Sequence, residues 1–236
     1  MTDVKEQEDI FKLIGSNLKR KIECYVIGGS AMLYYKLKEA TKDIDIVLLK
    51  ENEREYVLKI MKNLGYTERD SKILYVNKKN VPILLQRDQN RFELFNRKII
   101  NLKFSDGMID RVNLVYDYNN LTVKVVSPED IIILKYATDR AGDRADAANI
   151  IKSTNIKWNI LIEESINQMN LVGDVIPLNL YDFLLALEED LQVEIPNEII
   201  QKLESECEKI LTERLKKGTT IKVTKYKHKN RERQKY

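Results

Sequence analysis

The sequence contains two cysteines, one histidine and no long apolar run, and each shortage excludes a class of protein. Cys24 and Cys207 match no metal-ligand spacing and predict two reduced thiols in a cytosolic protein. His228 lies in a basic C-terminal stretch, where neither metal binding nor acid–base catalysis is expected. Because no apolar run approaches the ~20 residues that span a bilayer and no signal peptide is visible, we expect a soluble, cytoplasmic protein without a membrane partner.

Glycine and proline are also scarce, with 8 and 4 residues among 236. Both residue types punctuate loops, so their scarcity predicts short loops and much helix. Charged residues make up 33% of the chain, above the ~25% typical of globular proteins. The length suffices for one large domain or two modest ones, each with a proper core.

Charge is distributed unevenly along the chain. Residues 216–236 contain nine Lys or Arg against Glu232 alone, a balance of +8, so the net charge of +3 leaves −5 for residues 1–215. A slightly acidic globule therefore precedes a basic tail. Such a tail is typical of proteins that bind nucleic acid, and a solvated, disordered terminus is the alternative interpretation.

Hydrophobic periodicity predicts an α/β half followed by a helical half. Alternating apolar residues indicate strands at 22–27, 44–49, 73–76, 81–85, 92–95 and 121–126. Helical spacing indicates helices at 3–21, 31–38, 52–64, 129–139, 143–153, 157–170, 179–188 and 197–215. We therefore expect an α/β domain over residues 1–154, a helical region over 155–215 and the basic tail over 216–236.

A glycine turn opens the part of the chain with the strongest functional pattern. An apolar run ends in Gly28-Gly29-Ser30, and Ser30 is predicted to be the N-cap of the helix at 31–38. A glycine-rich turn that leads into a helix offers backbone N–H groups to phosphate. Taken alone, the same turn is also compatible with an ordinary strand-to-helix connection.

Two aspartates follow on the next predicted strand. Side chains alternate along a strand, so Asp43 and Asp45 point to one face while Ile44 and Ile46 point into a core. Two carboxylates held rigidly on one face suit a divalent metal ion, and polar residues on a half-solvated strand are the alternative interpretation. Together with the glycine turn, the pair indicates chemistry on a nucleoside triphosphate.

The glycine turn and the aspartate pair, separated by twelve residues, resemble the signature of the DNA polymerase β-like nucleotidyltransferase superfamily. The motif Thr41-Lys42-Asp43-Ile44-Asp45 more specifically resembles that of the minimal prokaryotic members and the AbiE-type toxin nucleotidyltransferases. Minimal members place a third acid in an Arg-apolar-acid-apolar-Phe strand, and Arg91-Phe92-Glu93-Leu94-Phe95 is similar, with Glu where Asp is commoner. The resemblance covers residues 24–153 and continues through Ser127-Pro128-Glu129-Asp130, Lys135-Tyr136-Ala137, Arg140 and Asp143-Arg144-Ala145-Asp146, with Lys135 and Ala137 one residue closer than the family's pattern.

The resemblance implies a nucleotidyltransferase fold, with a mixed sheet flanked by helices, over residues 1–154. It implies an enzyme that moves an NMP from an NTP to an acceptor hydroxyl and releases pyrophosphate. Two Mg²⁺ ions, or Mn²⁺, would be held by Asp43, Asp45 and Glu93. The NTP would be bound by Gly28, Gly29, Ser30 with its hydroxyl, and Lys135. Asp143 or Asp146 would orient the acceptor or act as the base.

For several of these residues, the sequence also allows another assignment. Asp88 and Asp110 compete with Glu93, whose strand lies near arginines that fit a salt-bridged surface. Asp143 is alternatively the N-cap of the helix at 143–153. Asp146 is alternatively a first-turn acid that suits the helix dipole.

The acceptor and the partners stay open. The basic tail favours RNA or tRNA as acceptor, a protein hydroxyl is equally compatible, and the resemblance implies a toxin role with a protein antitoxin. Two interpretations lack catalysis: the same fold kept as a nucleotide- or RNA-binding module, and a helical interaction protein that binds its partner through residues 156–215. Metal-dependent transfer separates the enzyme from both.

Overall fold

The computed structural model describes residues 1–71, 75 and 78–216. The strands are β1 Ile22–Val26, β2 Asp43–Val47, β3 Thr67–Arg69, β4 Ile83–Arg87, β5 Asn90–Phe95, β6 Lys98–Ile99, β7 Leu102–Lys103, β8 Leu114–Tyr118 and β9 Leu121–Val125. The helices are α1 Val4–Asn17, α2 Gly28–Tyr34, α3 Glu51–Asn63, α4 Asp106–Asp110, α5 Pro128–Tyr136, α6 Ala141–Ser153, α7 Trp158–Val172, α8 Ile176–Leu191 and α9 Asn197–Lys216. The strand predicted at 73–76, apart from Tyr75, and the tail from 217 onward lie outside the described residues.

The strands build one large mixed sheet. In the described part of the chain, seven strands pair in the order β3-β4-β5-β2-β1-β9-β8, and β6 with β7 forms a separate two-stranded sheet. β1 pairs in parallel with β9, and β2 pairs in parallel with β5, while the other neighbours in the large sheet are antiparallel. Helices pack on this sheet, and α7 to α9 follow it. The predicted fold class is thereby confirmed.

The two faces of the sheet carry different side chains. Phe92 packs edge-on against Phe11 of α1, with ring centroids 6.4 Å apart. Its strand neighbour Glu93 therefore points to the opposite face, because consecutive side chains in a strand alternate. Ile44 and Ile46 are 0% and 1% exposed, which confirms their predicted place in the core. The face that carries Glu93 is the one that α2 and α5 adjoin.

The helical region is continuous with the sheet domain. α5 packs against α6, α7 and α8, and Tyr136 lies edge-on to Phe183 with ring centroids 6.4 Å apart. One apolar cluster contains buried residues of both the sheet and the helices. The division at residues 154 and 155 stays a prediction. Among the residues that the structure describes, no helix is both long and apolar enough to cross a membrane.

Several predicted boundaries were wrong. The first helix ends at Asn17 rather than 21, because Leu18 is extended and the chain turns toward β1. α2 begins at Gly28, so Ser30 is its third residue and Ile27 occupies the N-cap position that was predicted for Ser30. The turn occurs at Gly28 itself, whose φ of +60° lies in the left-handed region that glycine adopts at little cost.

The strands β3, β6, β7 and β8 and the helix α4 were not predicted. All of them are five residues or shorter, and all but β8 carry too few apolar positions for a period to show. β8 lies at the edge of the sheet, where Val115 is 52% exposed, so its apolar pattern does not mark a buried strand.

Candidate active site

Three carboxylates meet on one face of the sheet. The parallel register of β2 and β5 places Asp45 opposite Glu93 and Asp43 opposite Arg91. Residues that are opposite one another share a face, so Asp43, Asp45 and Glu93 form what we call the acid cluster. The competitors lie elsewhere: Asp88 is in the turn between β4 and β5, and Asp110 ends α4. The structure thus brings Glu93 beside the aspartate pair, while its role stays a prediction.

The acid cluster lines a cleft of about 480 Å³. The same cleft is also lined by six other residues of interest, namely Gly29, Lys38, Lys135, Arg140, Asp143 and Asp146. Gly28 lines a smaller cavity of about 50 Å³ that Asp45, Glu93 and Lys135 also line. Ser30 lines neither cavity. Residues from α2, β2, β5, α5 and α6 therefore converge on one space.

Like charges dominate the acid cluster. Burial and then repulsion from Glu93 raise the pKa of Asp45 well above its ordinary value of 3.8. Burial likewise raises the pKa of Glu93, although the Tyr75 hydroxyl donates a hydrogen bond to its carboxylate. Arg91 Nε lies 2.7 Å from Asp43 Oδ1. Bringing these acids together costs free energy that a bound cation would offset.

The donor set fits a hard divalent cation, but the described residues do not form a finished cage. Among them, no group of three or more His, Cys, Asp or Glu side chains has the arrangement of a metal site. The reason is visible in the contacts, since Asp43 is turned to Arg91 and Glu93 to Tyr75. Mg²⁺ prefers carboxylate oxygens and keeps positions for water and substrate phosphate, so an incomplete protein cage suits it. Asp43, Asp45 and Glu93 are the residues that would hold it.

The glycine turn packs directly on the acid strand. A Cβ on Gly28 would lie 2.4 Å from Asp45 Oδ2, so a larger residue would displace this carboxylate. The Ser30 hydroxyl donates to the Asp43 carbonyl at 2.9 Å and accepts from the Asp45 N–H at 3.2 Å. That hydroxyl braces β2 and is fully buried. The predicted phosphate contact of Ser30 therefore concerns its backbone N–H alone.

Cations and acids alternate in a second group, the ion-pair network of Lys38, Lys135, Arg140, Asp143 and Asp146. Lys135 Nζ lies 2.9 Å from Asp143 Oδ1 and 2.7 Å from Asp146 Oδ2. Lys38 Nζ lies 2.7 Å from Asp146 Oδ1. Burial alone would lower the pKa of Lys135, but the two carboxylates outweigh it and raise the pKa, so this lysine stays charged.

Asp143 is the most strongly paired acid of the network. It is the third residue of α6 rather than its N-cap, and its carboxylate accepts from the Arg140 N–H, from Arg140 Nε at 2.8 Å and from the Thr138 hydroxyl at 2.6 Å. Burial opposes ionisation, yet Arg140 and Lys135 outweigh it and lower the pKa of Asp143 to about 2. A carboxylate this acidic is a poor base at neutral pH.

Sequence reasoning missed Lys38, which lines the cleft, and Tyr75, which lines the smaller cavity. Lys38 follows α2 in a loop that also contains Lys36 and Lys42, and no local pattern distinguishes the three. Tyr75 lies in a stretch that shows only a weak strand pattern. Both acquire their places through tertiary contacts, and the sequence offers only the position of Lys38 between the glycine turn and Asp43.

A known protein family covers most of the chain. The family described as "Nucleotidyltransferase of unknown function (DUF6036)" matches residues 4–192, well over half of the chain. The chain belongs to that family, and the predicted class, a nucleotidyltransferase enzyme, is confirmed at this level. No curated protein matches the chain.

Solved structures with a similar fold share little sequence. The lincosamide antibiotic adenylyltransferase LnuA, lincomycin-bound, is 16% identical with a TM-score of 0.44, over 65% of this chain and 100% of its own. ANT(2")-Ia in complex with adenylyl-2"-tobramycin is 14% identical with a TM-score of 0.41, over 62% and 88%. An antigenic nucleotidyltransferase-like protein from Paracoccidioides brasiliensis is 15% identical with a TM-score of 0.46, over 86% and 94%.

Proposed function

We propose that this chain is a divalent-metal-dependent transferase that moves an NMP from an NTP to an acceptor hydroxyl. The observation that carries the proposal is the parallel pairing of β2 with β5, which sets Asp45 opposite Glu93 in a cleft that Lys38 and Lys135 also line. Nucleotidyl transfer needs the same combination, oxygen ligands for a cation beside fixed positive charge for a polyphosphate.

The residues divide the work between the two ends of the nucleotide. Mg²⁺ or Mn²⁺ at the acid cluster, as a pair of ions, would supply charge neutralisation at the α-phosphate and the acceptor oxygen. Lys135 would bind the distal phosphates, and the backbone of Gly28, Gly29 and Ser30 would approach them closely because no side chain intervenes at the glycines. The acceptor oxygen bonds to the α-phosphorus, the bond to pyrophosphate breaks, and Asp146 accepts the hydroxyl proton.

The acceptor is the finer part of the proposal. A basic stretch at 216–236 would attract polyanions in a salt-dependent way, so we propose RNA or tRNA as the acceptor, with a protein hydroxyl as the competing outcome. A toxin role with a protein antitoxin follows from the resemblance alone. Deletion of residues 217–236 tests the RNA acceptor, since lost RNA binding with an unchanged circular dichroism spectrum would support it.

A transfer assay tests the proposed activity. The purified protein is incubated with each α-labelled NTP, Mg²⁺ and total RNA, beside Asp45→Asn and the matched control Asp88→Asn in an exposed turn. We expect label on RNA or protein with the wild type and the control, and none with Asp45→Asn. Equal labelling by all three proteins would contradict the proposal.

A second candidate is a nucleotide-binding module without catalysis. One observation favours it: Asp43 and Glu93 each have a protein partner, Arg91 and Tyr75 respectively. Such a module would bind NTP with an affinity that neither Mg²⁺ nor Asp45→Asn changes. Transfer of label that disappears with Asp45→Asn would exclude it.

A further inference from the structure

Lys38 is held over the glycine turn by Asp146. Its Nζ lies 2.7 Å from Asp146 Oδ1 and 3.0 Å from Asp146 Oδ2, so one ammonium meets both oxygens of the carboxylate. The same Nζ lies 3.7 Å from the position that a Cβ on Gly29 would occupy. A residue 108 positions away in sequence thus fixes this ammonium beside the backbone at the floor of the cleft.

Asp146 serves two lysines at once. Lys135 Nζ approaches Asp146 Oδ2 at 2.7 Å, so the carboxylate bridges Lys38 and Lys135. The side chains of Lys38, Lys135 and Asp146 are 34%, 11% and 14% exposed, which makes them part of the cleft wall rather than a solvated surface pair. Two ammonium groups that converge on one pair of oxygens form a site for a tetrahedral anion with several oxygens.

The charge of the network is unbalanced. Lys38, Lys135 and Arg140 carry three positive charges, against two negative charges on Asp143 and Asp146. Asp143 is shared by Lys135 and Arg140, so Asp146 is the sole acid that contacts Lys38 in this network. An anion that replaces Asp146 on the lysines would leave neither of them unpaired.

We propose that Lys38 binds the β- or γ-phosphate of the NTP and that Asp146 is its placeholder in the nucleotide-free protein. This inference rests on the proposed function. NTP entry exchanges the Asp146 carboxylate for phosphate oxygens on Lys38, and Asp146 turns away with its acceptor capacity restored. The site consequently selects a triphosphate over a monophosphate, because an NMP has no phosphate that reaches Lys38.

A purely structural ion pair would behave differently. If the ion pair of Lys38 and Asp146 only connected the loop after α2 to α6, loss of either partner would lower the stability of the fold. It would also weaken the binding of every nucleotide to the same extent. The placeholder makes opposite predictions for its two members, since loss of the lysine removes a phosphate contact and loss of the acid removes a competitor of phosphate.

The test is equilibrium nucleotide binding by the full chain. Calorimetry with Mg²⁺ first identifies the NTP that the wild type binds most tightly. The dissociation constants of that NTP and of its NMP are then measured for Lys38→Met, Lys38→Arg and Asp146→Asn. Lys36→Met is the matched control, because it removes the same charge from an exposed position of the same loop. Thermal unfolding of each variant shows that it is folded.

We expect Lys38→Met to raise the Kd for the NTP about tenfold or more, as for the loss of a charged hydrogen bond. The Kd for the NMP should stay within about twofold of the wild-type value. Lys38→Arg should retain most of the wild-type affinity for the NTP, and Lys36→Met should leave both Kd values unchanged. Asp146→Asn should lower the Kd for the NTP severalfold. Equal loss for NTP and NMP with Lys38→Met, or weaker NTP binding with Asp146→Asn, would overturn the inference alone. A wild type that binds no nucleotide would overturn the proposed function with it.

Discussion

The acid cluster and the ion-pair network line the same cleft but treat charge in opposite ways. In the acid cluster, burial and like charge raise the pKa of Asp45 and Glu93. In the network, paired cations lower the pKa of Asp143 and raise that of Lys135. The first group is unfavourable until a cation binds, whereas each group of the second already has an oppositely charged partner that a ligand must displace. One wall of the cleft, the acid cluster, therefore attracts a cation. In the other wall, the ion-pair network, acids compete with an incoming phosphate for the cations.

The largest expected effect comes from neutralising the centre of the acid cluster. Asp45→Asn should lower transfer about 10³-fold or more, because a ligand to the cation is lost. The same change removes buried like charge, so the melting temperature should rise by about 2–4 °C. Transfer rates and thermal unfolding of Asp45→Asn beside Asp88→Asn give both values. Retained transfer, or a lower melting temperature, would break the contrast between the two walls.

Gly28→Ala tests whether the turn positions the acid cluster. A residue with a side chain is strained at φ +60°, and the new Cβ would lie 2.4 Å from Asp45 Oδ2. We expect a loss of about 1–2 kcal/mol in the free energy of unfolding and about 10²-fold in transfer through displacement of the carboxylate.

Gly142→Ala is the matched control for this stability effect. An added Cβ at Gly142 meets nothing within 4 Å, and alanine suits the first turn of α6. Urea unfolding should therefore show the loss for Gly28→Ala only. Equal stability of the two variants would indicate that the turn tolerates a side chain and does not fix Asp45.

The network should show its pairing in acid. Asp143 has a folded-state pKa of about 2 against an ordinary value of 3.8. Its contribution to stability, about 2 kcal/mol, is fully present above pH 4 and is lost as the pH falls through 2. The difference in unfolding free energy between wild type and Asp143→Asn should shrink over that window. A difference that stays constant from pH 5 to 2 would contradict the pairing.

The smallest expected effect concerns the hydrogen bond between the Tyr75 hydroxyl and Glu93. Tyr75→Phe frees the Glu93 carboxylate from its orienting partner, and loss of such a partner should raise the Mg²⁺ concentration for half-maximal transfer about tenfold. Tyr66→Phe is the control, because Tyr66 packs edge-on against Phe92 on the opposite face of the sheet. An Mg²⁺ titration that is identical for the two variants would remove Tyr75 from the site.

The acid cluster was predictable from the sequence to the extent that its geometry is local. Asp43 and Asp45 share a face through the two-residue period of a single strand, and the mixed sheet flanked by helices follows from apolar patterns. Glu93 came from a resemblance, since its place depends on which strand pairs with β2. The N-cap predicted for Ser30 was wrong because its hydroxyl bonds the β2 backbone instead.

The ion-pair network shows where such reasoning stops. Lys38 and Asp146 meet only because the loop after α2 and the start of α6 reach the same cleft, 108 residues apart. No periodicity links these positions, and Lys38 has lysine neighbours on both sides in sequence. Contacts that form between separate elements produce no recognisable sequence pattern in either segment alone.

The most direct test of the two-walled cleft is a crystal structure of the full chain with Mn²⁺ and a non-hydrolysable NTP analogue, with manganese located by its anomalous scattering. The account predicts manganese on Asp43, Asp45 and Glu93, the distal phosphates beside Lys38 and Lys135, and Asp146 released from Lys38. Manganese away from the acid cluster, or a nucleotide bound outside this cleft, would contradict it.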